Sequence, residues 1–242
     1  MDGKTPGTNL APIGIPTLDE VLNGGLPKSS NILLYGDPLC GKKPLLMQFI
    51  YEGLKKNIPG IFVLTDYGYP EWKKMMEGSG WKLAKFEESG MLQVIDCYSR
   101  QFNPRLQDEG IVAYANGPTD LVGISMQISS IQEALAKVSD SHRFGLHSVS
   151  SLFEINDSES VFRFLQSITG RFRQAGAISF YVMEKGMHEE KQVRMTEHLM
   201  DGVIELAEDK LHVKGVRGAS PSWFKYEITE TGLQIQKSVK LY

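Results

Sequence analysis

The sequence predicts an α/β protein with a mostly parallel central sheet that is covered by helices on both faces. Short apolar segments of strand length alternate with longer segments of helical period along most of the 242 residues. A strand, a helix and a further strand form a crossover unit, and such units place their strands in parallel. The strand candidates are Asn31–Tyr35, Gly60–Thr65, Met91–Asp96, Phe144–Val149 and Ala177–Met183.

The segments between and after these strands complete the predicted architecture. Helices are predicted at Lys42–Lys55, Pro70–Gly80, Leu121–Val138 and Ser158–Gln174. Beyond residue 200 the strand candidates follow one another closely, with no helical segment between them, which predicts an antiparallel extension of the sheet. These candidates are Asp201–Leu206, Lys210–Val216, Trp223–Thr229 and Leu233–Lys237.

The domain organisation is predicted to be simple. We find no internal repeat and no low-complexity linker, so residues 1–242 are expected to form a single domain. Residues 1–12 are expected to be an N-terminal tail. Residues 98–120 are rich in Asn, Pro, Gly and charge, which predicts a long loop at the carboxyl edge of the sheet.

Composition excludes several classes of protein. Lys and Arg number 26 against 29 Asp and Glu, a formal net charge of -3, so no overall positive field attracts DNA or an anionic membrane. Cys40 and Cys97 are too few for a disulfide scaffold, which favours a reducing compartment. Neither a signal peptide nor a bilayer-spanning segment is apparent. We therefore expect a cytoplasmic protein without a membrane partner.

A phosphate-binding loop is predicted directly after the first long strand. Residues 36–42 fit the pattern G-x-x-x-x-G-K, with a strand before it and an amphipathic helix after it. In such a loop the glycines let the backbone wrap an anion, the amides at the helix start point inward, and the lysine neutralises phosphate charge. The nucleotide-binding candidates are Gly36, Asp37, Pro38, Leu39, Cys40, Gly41, Lys42 and Lys43.

Four features of this loop weaken it. Lys43 replaces the hydroxyl that coordinates Mg²⁺, and an ammonium cannot ligate a metal. Pro44 has no N–H to offer a phosphate. Leu39 stands where glycine would ease the turn, and Asp37 adds a negative charge. ATP or ADP is therefore expected to bind weakly, with little or no Mg²⁺; in an alternative interpretation the Lys43 ammonium replaces the charge of the metal.

Six further segments join the loop at Gly36 in a pattern that spans about residues 13–235. They are 14–27 (GIPTLDEVLNGGLP), 48–53 (QFIYEG), 94–99 (VIDCYS), 201–206 (DGVIEL), 216–218 (VRG) and 226–232 (YEITETG). Together with the loop, and in family order, these segments resemble the KaiC-like branch of the RecA-type ATPases. This resemblance implies a RecA-type sheet, ATP as the ancestral ligand, and assembly into rings with nucleotide between subunits.

The catalytic positions that the resemblance implies match poorly. Where the family has tandem glutamates, one of them activating water, this chain has Asp66 and Tyr67, so Asp66 is a weak candidate for the base. The family's Walker B carboxylate is replaced by His147, which a softer metal could use as a ligand. Of the family's trans-acting basic pair, Arg217 is present. The lysine position holds Gly215, and Lys214 faces the other side of the strand.

Together these losses predict a pseudo-ATPase. Metal charge, water positioning and the basic clamp each contribute orders of magnitude to phosphoryl transfer. We expect a regulatory or scaffold protein that assembles with itself or with an active KaiC-like paralogue. One alternative is a working ATPase with an atypical metal site and Asp66 as base. Another is a single-stranded nucleic-acid-binding recombination accessory, with a basic patch at Arg163, Arg171, Arg173 and Lys185.

Overall fold

The computed structural model describes residues 10–236, which form a ten-stranded sheet with helices on both faces and a separate two-stranded sheet. The strands are β1 (Leu10–Ala11), β2 (Leu26–Pro27), β3 (Asn31–Gly36), β4 (Gly60–Leu64), β5 (Leu92–Asp96), β6 (Val112–Tyr114), β7 (Arg143–His147), β8 (Ile178–Glu184), β9 (Gly202–Ala207), β10 (Lys210–Lys214), β11 (Phe224–Thr229) and β12 (Gly232–Ile235). The helices are α1 (Pro16–Val21), α2 (Lys42–Lys55), α3 (Tyr69–Gly78), α4 (Ala84–Glu88), α5 (Leu121–Leu135), α6 (Val149–Ile155), α7 (Ser158–Gln174) and α8 (Glu190–Leu199).

The large sheet has the order β12-β11-β10-β9-β3-β8-β7-β4-β5-β6. From β9 to β6 neighbouring strands are parallel, and from β9 to β12 each neighbour is antiparallel. The parallel strands are almost wholly buried, as expected for a sheet with helices on both faces. This arrangement confirms the predicted α/β fold with antiparallel C-terminal strands.

The direction of β9 corrects the sequence prediction. The segment 201–206 was expected to begin the antiparallel extension, but it pairs in parallel with β3, with Val203 opposite Leu33. Helix α8 lies between β8 and β9 and was not predicted. Because this helix carries the chain back across the sheet, β9 enters as another parallel strand. The antiparallel extension therefore begins at β10.

Several predicted boundaries also change. The predicted loop 98–120 contains a short 3₁₀ turn, Ser99–Gln101, and the edge strand β6. Strand β7 ends at His147, because the hydroxyl of Ser148 accepts the amide of Ser151 and caps α6. Helix α5 ends at residue 135, not 138. Of the predicted tail, residues 10–11 form β1; residues 1–9 lie outside the described part of the chain, as does residue 237 of the last predicted strand.

The hydrophobic core lies on both faces of the large sheet. On one face the ring of Phe49 from α2 stacks on that of Phe180 from β8, with centroids 3.9 Å apart. On the other face Phe144 and Phe172 approach to 4.0 Å. Among residues 10–236 no helix is long and apolar enough to cross a membrane.

A buried guanidinium joins the N-terminal segment to this core. Arg143 is 2% exposed, and its Nη1 donates to the carbonyl oxygen of Ile13 at 2.7 Å and also to that of Phe49. Its Nη2 donates to the carbonyl oxygen of Pro12 at 3.0 Å. Burial lowers the pKa of Arg143 to about 10, so the group remains charged at neutral pH. The charge is solvated by backbone carbonyls rather than by water.

The buried ring of His142 predicts a loss of stability in acid. Burial lowers its pKa to about 4 from an ordinary value of 6.5. Between these two pH values the unfolded chain binds a proton that the folded chain does not. The contribution of His142 to the free energy of unfolding is therefore fully present above pH 6.5 and is lost as the pH drops toward 4. From pH 7 to 4.5 this group should remove about 2 kcal/mol of unfolding free energy.

Urea denaturation at the two pH values checks this expectation. His142→Gln should lose less stability between them than the unchanged protein, by about the 2 kcal/mol attributed to the ring. His198→Gln, at an exposed position of α8, is the control and should leave the difference between the two pH values intact. If the unchanged protein and His142→Gln lost the same unfolding free energy between the two pH values, the acid sensitivity would not come from His142.

Candidate functional site

The candidate site lies where four adjacent strands of the sheet end. The order β3-β8-β7-β4 places their carboxyl ends side by side. The loop 36–43 follows β3, Glu184 ends β8, His147 ends β7, and Asp66 lies two residues after β4. In parallel sheets this edge is where ligands bind, because the loops after the strands converge there. The structure thus brings the predicted loop, Asp66 and His147 together.

The loop between β3 and α2 has the backbone of a tight turn. Gly41 has a φ of 98° and Leu39 a φ of 64°, both in the left-handed region that favours glycine. The Leu39 side chain is 98% exposed, so this strained position contributes no packing. A Cβ on Gly36 would overlap the carbonyl oxygen of Leu206 in β9. Gly36 is therefore required by the neighbouring strand, independently of any phosphate.

The start of α2 supplies unpaired amides to this loop. Gly41 is the N-cap residue, and Lys42, Lys43 and Pro44 form the first turn, whose N–H groups have no partner within a helix. Proline is tolerated here because the amide that it lacks would not join the helix ladder. The helix therefore forms normally, while one donor is lost from the anion cradle.

The ammonium of Lys42 is buried inside the loop. It donates to the carbonyl oxygens of Gly36 at 2.7 Å and Asp37 at 2.5 Å, and to Oε2 of Glu184 at 2.7 Å. Its Nζ also lies 3.5 Å from Sγ of Cys40. Burial raises the pKa of the Cys40 thiol, although the charge of Lys42 opposes this change. The raised pKa keeps the thiol protonated.

Lys43 turns to the other side of the loop. Its Nζ lies 3.8 Å from the centroid of the Tyr67 ring, a cation–π contact. Burial lowers the pKa of Lys43, while the nearby carboxylates of Glu71 and Asp66 raise it. The Tyr67 hydroxyl is buried without a hydrogen-bond partner among the described residues. An internal cation therefore occupies the space between the loop and the end of β4.

Asp66 and His147 face each other beside this cation. Nδ1 of His147 lies 3.4 Å from Oδ2 of Asp66. Oδ1 of Asp66 accepts from the hydroxyl of Thr65 at 2.7 Å and from that of Ser151. Burial lowers the pKa of His147 to about 4, against the opposing attraction of Asp66. His147 is therefore neutral at pH 7.

A small cavity opens at the loop. Its volume is about 320 Å³, and it is lined mainly by apolar groups together with both lysines and Glu184. Ile228 of β11 forms one wall, close enough that a Cβ on Gly41 would lie 3.0 Å from its Cδ1. Tyr226 of the same strand donates its hydroxyl proton to the carbonyl oxygen of Cys40. The C-terminal strands thus support the loop, a role that the sequence did not reveal.

Larger grooves lie elsewhere on the molecule. One of about 530 Å³ runs between α5 and α7 and exposes Val122 and Met126. Its lining includes Arg163 and Arg171 of the predicted basic patch, but none of the predicted nucleotide-binding residues and neither Asp66 nor His147. We place the candidate site at the smaller cavity because the anion-binding backbone and the titratable side chains converge there.

The predicted trans-acting Arg217 lies near the edge of the sheet where the parallel strands begin, opposite to the edge that carries the loop. It is exposed in the connection that follows β10. Since β10 runs antiparallel to β9, it ends at the edge where β3 and β9 begin. Lys214 instead forms an ion pair with Glu205 of its own chain. Arg217 therefore cannot contact the loop of its own chain.

Glu184 is the principal site residue that sequence reasoning missed. Its strand was predicted to end at Met183, and the pairing with Lys42 joins residues 142 positions apart. Its backbone is fixed, because Gly36 and Glu184 are paired in register and the Glu184 amide donates to Oγ of Ser150 at 2.8 Å. A carboxylate directly after an apolar strand of a parallel sheet was the available signal.

Comparisons with known proteins agree on one family. The model of the family described as "ATPase: KaiC" matches residues 11–240. A UPF0273 protein of Methanopyrus kandleri is 32% identical over 236 residues, which cover 92% of this chain and 90% of that protein. A UPF0273 protein of Thermotoga maritima is 28% identical over 242 residues, covering 93% and 95%. The crystal structure of a KaiC-like protein of Pyrococcus horikoshii matches with a TM-score of 0.73 and 19% identity over 94% of this chain and 99% of that one.

Proposed function

Because the chain belongs to the KaiC ATPase family, we propose that it binds ATP or ADP through the loop 36–43 without Mg²⁺ and hydrolyses it inefficiently. One observation carries the proposal. Beside the loop, where the family resemblance implies metal-binding and water-activating groups, this chain has the Lys43 ammonium on the Tyr67 ring and a neutral His147 against Asp66. These groups suit a site that supplies its own cation.

The side chains at this place do not fit Mg²⁺. Magnesium requires oxygen ligands in near-octahedral geometry, and a protonated amine offers no lone pair while repelling the ion. Oδ1 of Asp66 is already bonded to two hydroxyl groups, and His147 presents nitrogen rather than oxygen.

The loop itself fits a phosphate group better. The first turn of α2 presents amides without helical partners, and the positive end of the helix dipole favours an anion there. Lys42 and Lys43 both lie at this helix start and border the cavity. Two lysine charges without a metal support binding of a polyphosphate, but they do not position or activate a water for attack.

A non-hydrolysing member of this family would act as a regulator or scaffold that assembles with itself or with an active paralogue. The position of Arg217, across the sheet from its own loop, supports this assembly, because an arginine so placed is available to the site of a neighbouring subunit. The alternative of a nucleic-acid-binding protein has less support. Arg163, Arg173 and Lys185 each form an ion pair with a carboxylate, which reduces the positive charge of that surface.

Calorimetric titration with ATP and ADP, in EDTA and in excess Mg²⁺, tests the proposal. We expect affinities that differ by less than about threefold between the two conditions, since the side chains beside the loop do not recruit the metal. Lys42→Ala should weaken binding at least about tenfold by removing a buried charge from the cradle. Phosphate release should stay at the background rate.

Lys191→Ala is the matched control, since it removes an exposed lysine of α8 that does not line the cavity. Its affinity should equal that of the unchanged protein. A tenfold gain in affinity with Mg²⁺, or hydrolysis that Lys42→Ala abolishes, would replace the proposal with the working ATPase.

A further inference from the structure

Lys42 already has an anionic partner within the chain. Its side chain is 3% exposed, and that of Glu184 is 22% exposed. An ammonium has three protons, and the contacts to Gly36, Asp37 and Glu184 account for all three. The cation that a phosphate group requires is therefore fully bonded before any ligand arrives.

We propose that Glu184 acts as an internal competitor of phosphate at Lys42 and thereby sets how weakly the loop binds nucleotides. The inference rests on the proposed function and identifies the residue that limits it. An incoming phosphate must either take Lys42 away from Glu184 or bind next to a carboxylate that has lost its counter-ion. Both routes reduce the affinity for an anion.

The backbone around Glu184 keeps its carboxylate directed at the loop. The amide of Lys185 donates to the carbonyl oxygen of Gly36 at 2.8 Å, which continues the pairing of β8 with β3. The amide of Glu184 is held by Ser150, whose Oγ also lies 2.8 Å from Nε2 of His188. Because these bonds hold the end of β8 against β3, the carboxylate of Glu184 remains within reach of Lys42 when a ligand enters.

Glu184 also borders the cavity. It lines the same space as His147 and Lys42. A negative charge on the wall of a small cavity repels every phosphate oxygen placed there, and the low dielectric strengthens that repulsion. Its removal should therefore help a ligand with several phosphate charges more than one with a single charge.

Neutralising this carboxylate tests the inference by a gain of binding. ATP and tripolyphosphate are titrated in EDTA into the unchanged protein, Glu184→Gln and Glu184→Asp. Glu184→Gln keeps the shape of the side chain and should bind both probes at least about tenfold more tightly. Glu184→Asp keeps the charge and should stay within about threefold of the unchanged protein. Damage to the fold does not produce a gain of affinity.

Controls separate the charge from other effects. Glu159→Gln removes a carboxylate from an exposed ion pair on α7 and should leave binding unchanged. Adding Lys42→Ala to Glu184→Gln should abolish the gain. Glu184→Ala provides a second neutral side chain should the glutamine variant fold poorly, and the same rise is expected for it.

The outcomes are distinct. Weak binding by the unchanged protein, with no gain in either neutral variant, overturns the inference and leaves the proposed function standing. Binding by Glu184→Gln alone supports the inference and overturns weak nucleotide binding by the natural chain. If neither protein binds either probe, both proposals are wrong.

Discussion

Replacing Arg143 with methionine should lower the free energy of unfolding by about 3–5 kcal/mol. The guanidinium is the hydrogen-bond donor to the carbonyl oxygens of Pro12, Ile13 and Phe49, and methionine leaves these groups buried without that donor. The cation also lies over the Phe49 ring, with Cζ 4.6 Å from the centroid. Equilibrium urea denaturation followed by far-UV circular dichroism measures the loss.

Arg163→Met is the matched control for this experiment. Arg163 is exposed on α7 and pairs with Glu159 one helical turn earlier, a contact of small net value. Its replacement should change stability by less than about 0.5 kcal/mol. If Arg143→Met lost less than about 1 kcal/mol, the buried carbonyls would have found other partners, and the guanidinium would not be what joins the N-terminal segment to α2.

The double variant Lys43→Thr, His147→Asp should acquire a response to Mg²⁺ that the natural chain lacks. The changes replace the internal cation with a hydroxyl and place a second carboxylate beside Asp66. Two adjacent carboxylates without a counter-ion repel each other, so a divalent cation should stabilise the folded protein. We expect Mg²⁺ to tighten ATP binding at least about tenfold, and to raise the melting temperature of the variant.

Calorimetry and thermal unfolding, each with and without Mg²⁺, give the two measurements. Lys43→Thr alone retains the neutral imidazole and should gain less than about threefold in affinity from the metal, because a single hydroxyl is a poor ligand without a carboxylate. The double variant should also be less stable than the natural chain in EDTA, since it loses the Lys43 contact with Tyr67. A double variant whose ATP affinity ignores Mg²⁺ would show that the metal position was wrongly placed.

Local pattern was sufficient to predict most of the sheet but not the direction of every strand. The parallel strands are continuous apolar segments, so β3, β4 and β5 could be located by composition and by the turns around them. A strand carries no local mark of its direction, and β9 was misassigned because α8 was not detected. Strand β6 was missed since its three residues lie within a polar segment.

The candidate site likewise has features that local sequence predicts and features that depend on the strand order. The loop 36–43 was predictable because its spacing and its flanking strand and helix are local properties. The ends of parallel strands place Asp66 and His147 at the same edge of the sheet, but their contact depends on β7 lying beside β4. The Lys42–Glu184 pair depends on β8 lying beside β3, and the residue pattern does not contain this order. The packing of Ile228 against Gly41 likewise depends on how the last strands fold over α2.

The position of β3 between β8 and β9 has a consequence for synthesis on the ribosome. Both neighbours come more than 140 residues later in the chain, whereas β4 and β5 can pair as soon as they emerge. A nascent chain therefore carries the apolar segment of β3 with both edges open until residues 178–207 have been translated. During that interval chaperones could bind the open edges of β3. A chain released before residue 178 would expose these unpaired strand edges, which favour aggregation.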